Sequence, residues 1–251
     1  MKQWIQTALD SCLPGYCLLC ETGFNPAQPS PADHLCSYCR LALPLNLHAC
    51  YHCALPLYGE TTYPQPAQLL VCGSCISKPL ARRTFAPLIH EGTGAYLLHQ
   101  LKFNAGEAEG RTLAAIMLAR IRPYIADSPP DLLLPVPLDY WSLVKRGFNQ
   151  SSLLAAALSS ALHIPVVEHL VTRRRGPAQR TLSRAQRQQL AGHRFLWRGA
   201  GKPLLQNQHV AIIDDVLTTG ATARQLIHLL KQHGASTIEV WCATRAEAPQ
   251  H

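Results

Sequence analysis

The stretch Val210-Ala-Ile-Ile-Asp-Asp-Val-Leu-Thr-Thr-Gly-Ala-Thr222 decides how the chain is read. Val210 to Ile213 is a four-residue apolar run, short enough for a strand buried on both faces. It delivers two adjacent carboxylates, Asp214 and Asp215, to its C-terminal edge. Small and hydroxylated residues then open a helix with Ala223, Leu226, Ile227 and Leu230 on one stripe, closed by Gly234. Backbone N–H groups of Thr218, Thr219, Gly220, Ala221 and Thr222, with the threonine hydroxyls, form a concave anion site reinforced by the helix dipole. Gly220 lets the backbone curl closely around a phosphate. Two acids just before such a nest repel a phosphate unless the ligand sets hydroxyls against them. Ribose 5-phosphate does so, with its 2′- and 3′-hydroxyls on the acids and its phosphate in the loop. A P-loop is excluded, because no Gly-Lys-Ser/Thr stands at the required spacing.

Working outward, the chain from about residue 80 alternates β and α patterns. Phe85 to His90 reads as a short strand. Gly110 to Ile121 carries Leu113, Ile116, Met117 and Ile121 at helical spacing. Leu132 to Pro135 is a buried strand that stops at the second residue pair of LPVP, since proline cannot continue a central ladder. Asn149 or Ser151 caps a helix whose expected buried face is Leu154, Ala157, Leu158 and Ala161. Ile238 to Ala243 is the next strand after the helix of the opening motif. Strand, helix and strand in this order predict an α/β domain with a parallel sheet flanked by helices and right-handed crossovers. Its ligand is expected at the carboxyl ends of the strands.

The N-terminal part has a different chemistry. Eight cysteines form four Cys-x-x-Cys pairs: Cys17/Cys20, Cys36/Cys39, Cys50/Cys53 and Cys72/Cys75. Fifteen residues separate the first pair from the second and eighteen the third from the fourth, which suits four thiolates on one tetrahedral metal. Two adjacent Cys₄ zinc sites are the simplest reading, with interleaved ligation open. Four thiolates leave no position for water or substrate, so the zinc is structural. The segment is short and proline-rich, and metal binding supplies the folding free energy its small core lacks. The boundaries expected are 1–79 for the cysteine-rich double zinc-binding module and 80–251 for the α/β domain. Cys12 and Cys242 have no partner at metal spacing, and Cys242 reads as core.

The formal charge of +8 falls to about +4 if each Cys₄ zinc site adds −2. Residues 1–79 hold three basic and four acidic side chains, so the excess lies in the C-terminal part. Between Glu168 and Asp214 stand nine Lys or Arg and no carboxylate, a face suited to an anionic partner. No run of eighteen apolar residues occurs, so no membrane span is expected. The first twenty residues carry no signal-peptide pattern, and the expected compartment is the cytoplasm, where thiols stay reduced.

The acidic pair followed by TTGAT resembles the phosphoribosyl-pyrophosphate signature of type I phosphoribosyltransferases. LPVPL at 134–138, KRGFNQ at 145–150 and LKF at 101–103, together with the paired Cys-x-x-Cys motifs, resemble the ComF family, whose members join a zinc finger to a phosphoribosyltransferase domain. The resemblance runs from Cys17 to Arg245 and implies a zinc-ribbon-like module ahead of a type I phosphoribosyltransferase fold. It implies phosphoribosyl pyrophosphate with Mg²⁺ as ligand. Asp214 and Asp215 would hold the ribose, and Arg146 would act as the cation nearest the pyrophosphate. Lys102, Arg175 and Arg187 are further pyrophosphate or loop contacts on the same ground, and 172–190 would be the flexible active-site loop. Gln179, Leu182, Ser183 and Arg187 match that loop's pattern, whereas Gly176 and Leu190 depart from it. Thr218 stands where purine enzymes of the class carry an acid, so a purine acceptor has no carboxylate base here. The family's association with natural competence implies DNA uptake or utilisation, with single-stranded DNA and recombination proteins as partners. Three roles follow: a pentosyl transferase, a non-catalytic single-stranded-DNA adaptor, and a regulator that senses the ligand without turnover. Tyr51, Tyr58 and Tyr63 could stack on a strand, although packing within a metal-stapled fold is the favoured reading.

Overall fold

A parallel sheet organises the larger part of the molecule, and its centre is the strand pair around the opening motif. β8 (His209–Leu217) and β9 (Thr237–Arg245) run side by side, with Val210 opposite Ile238 and Ile213 opposite Trp241. β5 (Leu132–Pro135) extends the ladder beyond β8, while β3 (Arg83–Phe85) and β4 (Leu88–Ile89) pair in succession along the other edge of β9. Every pairing in this five-stranded sheet is parallel. The computed structural model describes residues 15–24, 34–57, 69–103, 106–174, 194–199 and 205–247.

Because side chains alternate along a strand, the two sheet faces bury different sets. Ala211, Ile213, Trp241 and Ala243 face α3 (Gly92–Phe103), α4 (Glu107–Ile125) and α6 (Gln150–Leu162). Val210, Ile212, Ile238, Val240 and Cys242 face α7 (Ala221–Gln232), which buries Ala223, Leu226, Ile227 and Leu230 as its pattern predicts. Each of the three larger side chains contributes roughly 1.5–3 kcal/mol through burial. One buried ion pair joins β9 to the sheet edge. Glu239, 1% exposed, takes Arg83 at 3.0 Å and the Trp241 indole N–H at 2.9 Å.

Several expectations are corrected at element ends. The strand expected over 85–90 is broken at Ala86–Pro87, where proline offers no N–H to the ladder. The carbonyls there turn to Asn46, which donates its amide to Ala86 O and its backbone N–H to Pro87 O. β5 is buried throughout but ends the ladder, with a single bridge from Leu133 to Val166 beyond it. β8 runs on through both acids to Leu217, because Val216 and Leu217 still pair with β9. Asn149, and not Ser151, caps α6, and Ala155 replaces Ala157 and Ala161 on its buried face. The segment after LPVP is a short helix, α5 (Tyr140–Arg146), started by Asp139 and stopped by Gly147 in the left-handed conformation. Thr172 and Arg173, expected at the start of the active-site loop, belong to β6 (Val171–Arg173), paired antiparallel with β7 (Phe195–Trp197).

The cysteine-rich part makes only small elements. β1 (Gly15–Tyr16) pairs with β2 (Gly23–Phe24), and the one-turn helices α1 (Ser37–Leu41) and α2 (Gly73–Ser77) begin directly after Cys36 and Cys72. Its two halves pack on opposite faces of the sheet. Cys17 joins the cluster of α3, α4 and α6, whereas Cys50, Cys53, Cys72 and Cys75 join that of α7. Among the described residues no helix is long and apolar enough to cross a membrane.

Candidate functional site and metal centres

The acidic pair sits where β8 leaves the core. Asp214 Oδ1 accepts from Ser151 Oγ at 3.2 Å and from the Asp215 N–H at 2.9 Å. Asp215 Oδ1 accepts from the Val216 N–H at 2.8 Å, and its Oδ2 meets Lys102 Nζ at 2.9 Å. Part of Asp214 reaches solvent, yet its carboxyl is ringed by protein. That desolvation, followed by the like charge of Asp215, pushes its pKa well above the usual carboxylate range. His90 stands on the same edge, its Nδ1 3.1 Å from Thr244 Oγ1. Desolvation and the Lys102 charge hold His90 below its ordinary value, with Asp215 opposing them.

The loop after β8 turns directly into α7. Gly220 adopts φ +74° and precedes the first residue of α7, while Thr218, Thr219 and Ala221 are exposed and Thr222 is half-buried. The Ala221 N–H reaches Thr219 Oγ1 at 3.4 Å, and Arg224 Nη1 donates to Thr219 O at 2.7 Å. Anions at such a terminus gain from the unpaired N–H groups and the helix dipole together. Among the described residues, Lys102 at the last turn of α3 is the cation brought nearest to the acids.

Other expected residues fare differently. Arg146 is half-buried at the end of α5 and donates to Gln150 Oε1 at 3.3 Å rather than to either acid. Asn149 both caps α6 and donates to Val136 O at 3.0 Å, which ties the LPVP turn to the helix beside Asp214. Arg175, Arg187 and the rest of the proposed loop pattern lie outside the described residues, as do Cys12, Tyr58 and Tyr63. Tyr51 is half-buried, its ring 5.2 Å from that of His52. Sequence reasoning missed Ser151 as a ligand of Asp214, and it missed His90, Thr244 and Arg245. None of these carries a local motif; strand pairing and, for Ser151, the packing of α6 on the sheet bring them to the site.

The eight cysteines gather into two sets, Cys17, Cys20, Cys36 and Cys39, and Cys50, Cys53, Cys72 and Cys75, with the ligand atoms of each set within 4.8 Å of one another. The neighbouring pairing is thus the one formed, and interleaving is not. None of the eight is in a disulfide. Cys20 to Cys36 and Cys53 to Cys72 are each 3.7 Å between sulfurs. Tetrahedral zinc with bonds near 2.3 Å requires sulfur–sulfur edges of about 3.8 Å, so both sets fit that ion. Backbone N–H groups aimed at sulfur, Cys72 to Cys50 Sγ at 3.3 Å among them, favour thiolates in the same way.

Comparison with known proteins bears on the whole chain. The model of the phosphoribosyl transferase domain family matches residues 149–250, the span from the cap of α6 through β8, the loop and β9. The DNA utilization protein YhgH of Escherichia coli O157:H7 is 32% identical over 245 residues, covering 93% of this chain and 98% of that protein. Competence protein F of Haemophilus influenzae is 29% identical over 235 residues, covering 92% of this chain and 96% of that protein. A purine phosphoribosyltransferase from Pyrococcus horikoshii is 20% identical over 55% of this chain and 80% of that one, at a TM-score of 0.32, a likeness too loose to argue from. The parallel sheet with flanking helices is that of a type I phosphoribosyltransferase, carried beside cysteine clusters compatible with a zinc module. With identity of this level along nearly its full length, the chain belongs to the ComF family of competence and DNA utilization proteins.

Proposed function

We propose that residues 80–251 form a phosphoribosyltransferase-like domain that binds phosphoribosyl pyrophosphate or a nucleotide-like ligand, and that 1–79 form a structural zinc module beside it. The observation that carries the reading is Asp214, Asp215 and the 218–222 loop following one another at the carboxyl end of a central parallel strand. Asp214 and Asp215 accept the ribose hydroxyls, and the N–H groups of Thr218 to Thr222 take the 5-phosphate. Lys102, paired with Asp215 in the free protein, turns to phosphoryl oxygens when ribose hydroxyls replace it. Arg146, Arg175 and Arg187 complete the cationic wall for pyrophosphate. Adjacent carboxylate oxygens and a diphosphate are the hard donors Mg²⁺ takes, and the ion would neutralise charge on the leaving group.

If turnover occurs, the C1′–O bond to pyrophosphate breaks and an acceptor binds C1′. The acids stabilise positive charge on the sugar. Thr218 supplies no carboxylate base, so the acceptor must lose its proton elsewhere or already lack one. The protein works in the cytoplasm, in DNA uptake or utilisation, as the names of its relatives suggest. The test is calorimetric titration of the zinc-loaded chain with phosphoribosyl pyrophosphate and Mg²⁺, beside an Asp214→Asn/Asp215→Asn variant. Heat with the wild type alone supports the site. A folded wild type that gives none sinks both the transferase and the ligand-sensing regulator.

A non-catalytic single-stranded-DNA adaptor is the second reading, and one surface favours it. Tyr140 and Trp141 are 70% and 56% exposed on α5, next to Lys145 and Arg146. Arg173 lies near enough to help Ser142 hold the Asp139 carboxyl below its usual pKa. Exposed aromatic rings among cations suit stacked bases on a phosphate backbone. Salt-sensitive binding of an oligothymidylate, lost in Arg173→Ala/Arg174→Ala, separates this role from the first.

A further inference from the structure

The second cysteine set and the anion loop share two direct links. The first is Arg245, the last residue of β9 and only 6% exposed. Its Nε donates to Cys53 O at 3.0 Å and its Nη1 donates to Leu217 O at 3.0 Å. The same Nη1 also donates to Ala246 O. Cys53 is a member of the second set, and Leu217 is the residue immediately before Thr218. One buried guanidinium therefore spans from the metal knuckle to the root of the loop. The second link is Leu80. It is buried in one cluster with Cys72 and Cys75, and its side-chain methyls lie 3.3 Å from where a Cβ on Gly220 would stand.

The knuckle itself is held hard against the sheet. Ala54 turns in the left-handed conformation at φ +52° and is 1% exposed. Asn46, 3% exposed, donates one amide to both Ala54 O and Ala86 O. Thr84 Oγ1 donates to His52 O, and His52 Nδ1 lies 2.9 Å from Ala81 O. A carbonyl in such a turn can serve as an anchor only while the turn keeps its shape. Four sulfurs on one ion set that shape. The first set contributes Cys17 to the opposite sheet face, away from α7 and the loop.

We propose that the Cys50–Cys75 set and the 217–222 loop form one mechanical unit, with Arg245 as the positioning residue that transmits the metal-bound shape of the knuckle to the loop. A buried arginine is suited to this work, because its rigid fork of donors grips two carbonyls that the backbone alone would leave independent. Metal loss from the second set frees Cys53 O and lets the guanidinium drift. Leu217 O then keeps the Ala246 N–H at 2.9 Å but loses its side-chain donor, and the loop N–H groups lose their common aim. Metal loss from the first set leaves the loop as it was. By linkage, a ligand that orders the loop retains the second metal and has no effect on the first. The proposal depends on the ribose-phosphate reading only for what the loop holds, and its main test needs no ligand.

The test is amide hydrogen exchange, followed by mass spectrometry, on the full zinc-loaded chain. Arg245→Gln should speed exchange at 217–224 on the order of tenfold, the equilibrium worth of one charge-assisted hydrogen bond, while α4 is unchanged and both zinc equivalents stay bound. Cys75→Ser, left with one zinc equivalent, should speed the same segment, and Cys20→Ser, also left with one, should not. Unchanged exchange at 217–224 in Arg245→Gln, or equal acceleration by both cysteine variants, overturns the proposal. If Arg245→Gln does not fold, the two cysteine variants decide; if Cys75→Ser does not, Arg245→Gln decides. Titration with ribose 5-phosphate runs beside these. Absence of binding there counts against the ligand reading and leaves the exchange result standing.

Discussion

Replacing Lys102 by methionine removes one charge from the site and little else, since the methylene stem is largely kept. Its ammonium stands 2.9 Å from Asp215 Oδ2, with side-chain exposures of 22% and 13%. At an effective dielectric near 20 the Coulomb attraction at that separation is about 6 kcal/mol. Desolvation and the entropy of holding a lysine cancel most of it, so the expected net loss is about 1–3 kcal/mol. For a chain of this size that lowers Tm by about 3–10 °C. The loss should depend on pH in a defined direction. Without Lys102 the Asp215 charge is left unscreened beside Asp214, so the defect is largest at pH 8 and shrinks on acidification as a carboxyl of the pair takes a proton. Adding Asp215→Asn should restore stability, because the orphaned charge is then gone. Thermal and urea unfolding of the wild type, both single variants and the double variant at pH 5 and pH 8 provide the cycle. A coupling within about 0.3–0.5 kcal/mol of zero, the range of independent sites, would refute the reasoning.

Three further outcomes are expected. Asp214 has a folded pKa above its unfolded one, so the folded state binds the extra proton and stability falls as pH rises through that window. Asp214→Asn should therefore be more stable than wild type at pH 8, with the gain disappearing below about pH 4, and should lose ribose 5-phosphate binding in calorimetry. Gly220→Ala places a Cβ at φ +74° and 3.3 Å from Leu80 and Arg224, so it should cost about 1–2 kcal/mol in urea melts and weaken phosphate binding. Burial raises the Glu239 pKa, but the His209 ring 3.5 Å away, the hydrogen bond from Trp241 and the Arg83 charge outweigh it, leaving the net value below the usual range. Wild type should thus lose this contribution as pH falls through the folded value, and Glu239→Gln should show a flatter loss between about pH 5 and pH 2 in thermal melts.

The reach of the sequence differs from residue to residue, for physical reasons. Spacing alone identified the four cysteine pairs, since Cys-x-x-Cys is the local geometry of a metal knuckle and needs no distant partner. The apolar run, the acidic pair and the loop were legible because a short buried strand, a nest and an amphipathic stripe are all encoded within thirteen neighbouring residues and the helix after them. The buried stripe of α7 and the extent of β5 were read correctly on the same ground. Boundaries were less legible. Asp214 and Asp215 look like loop residues by composition, yet pairing with β9 keeps them in the strand. Pro87 breaks its strand at a point where Asn46, forty residues away, takes the freed carbonyls. Arg146, singled out by motif, bonds Gln150, whereas Lys102, expected as a pyrophosphate or loop contact, reaches Asp215.

By itself, then, the sequence determined the local patterns: eight thiols in metal spacing, and two acids followed by a short turn of small and hydroxylated residues into a helix. Those depend on residues close in the chain, where covalent geometry limits the options. Only the tertiary structure decided which thiols share a centre, which cation faces the acids, and that Arg245 joins the Cys53 carbonyl to the root of the loop. Each of those contacts spans distant segments brought together by parallel pairing and by burial of the two sheet faces. Such proximity follows from the packing of the whole chain, and no local pattern records it.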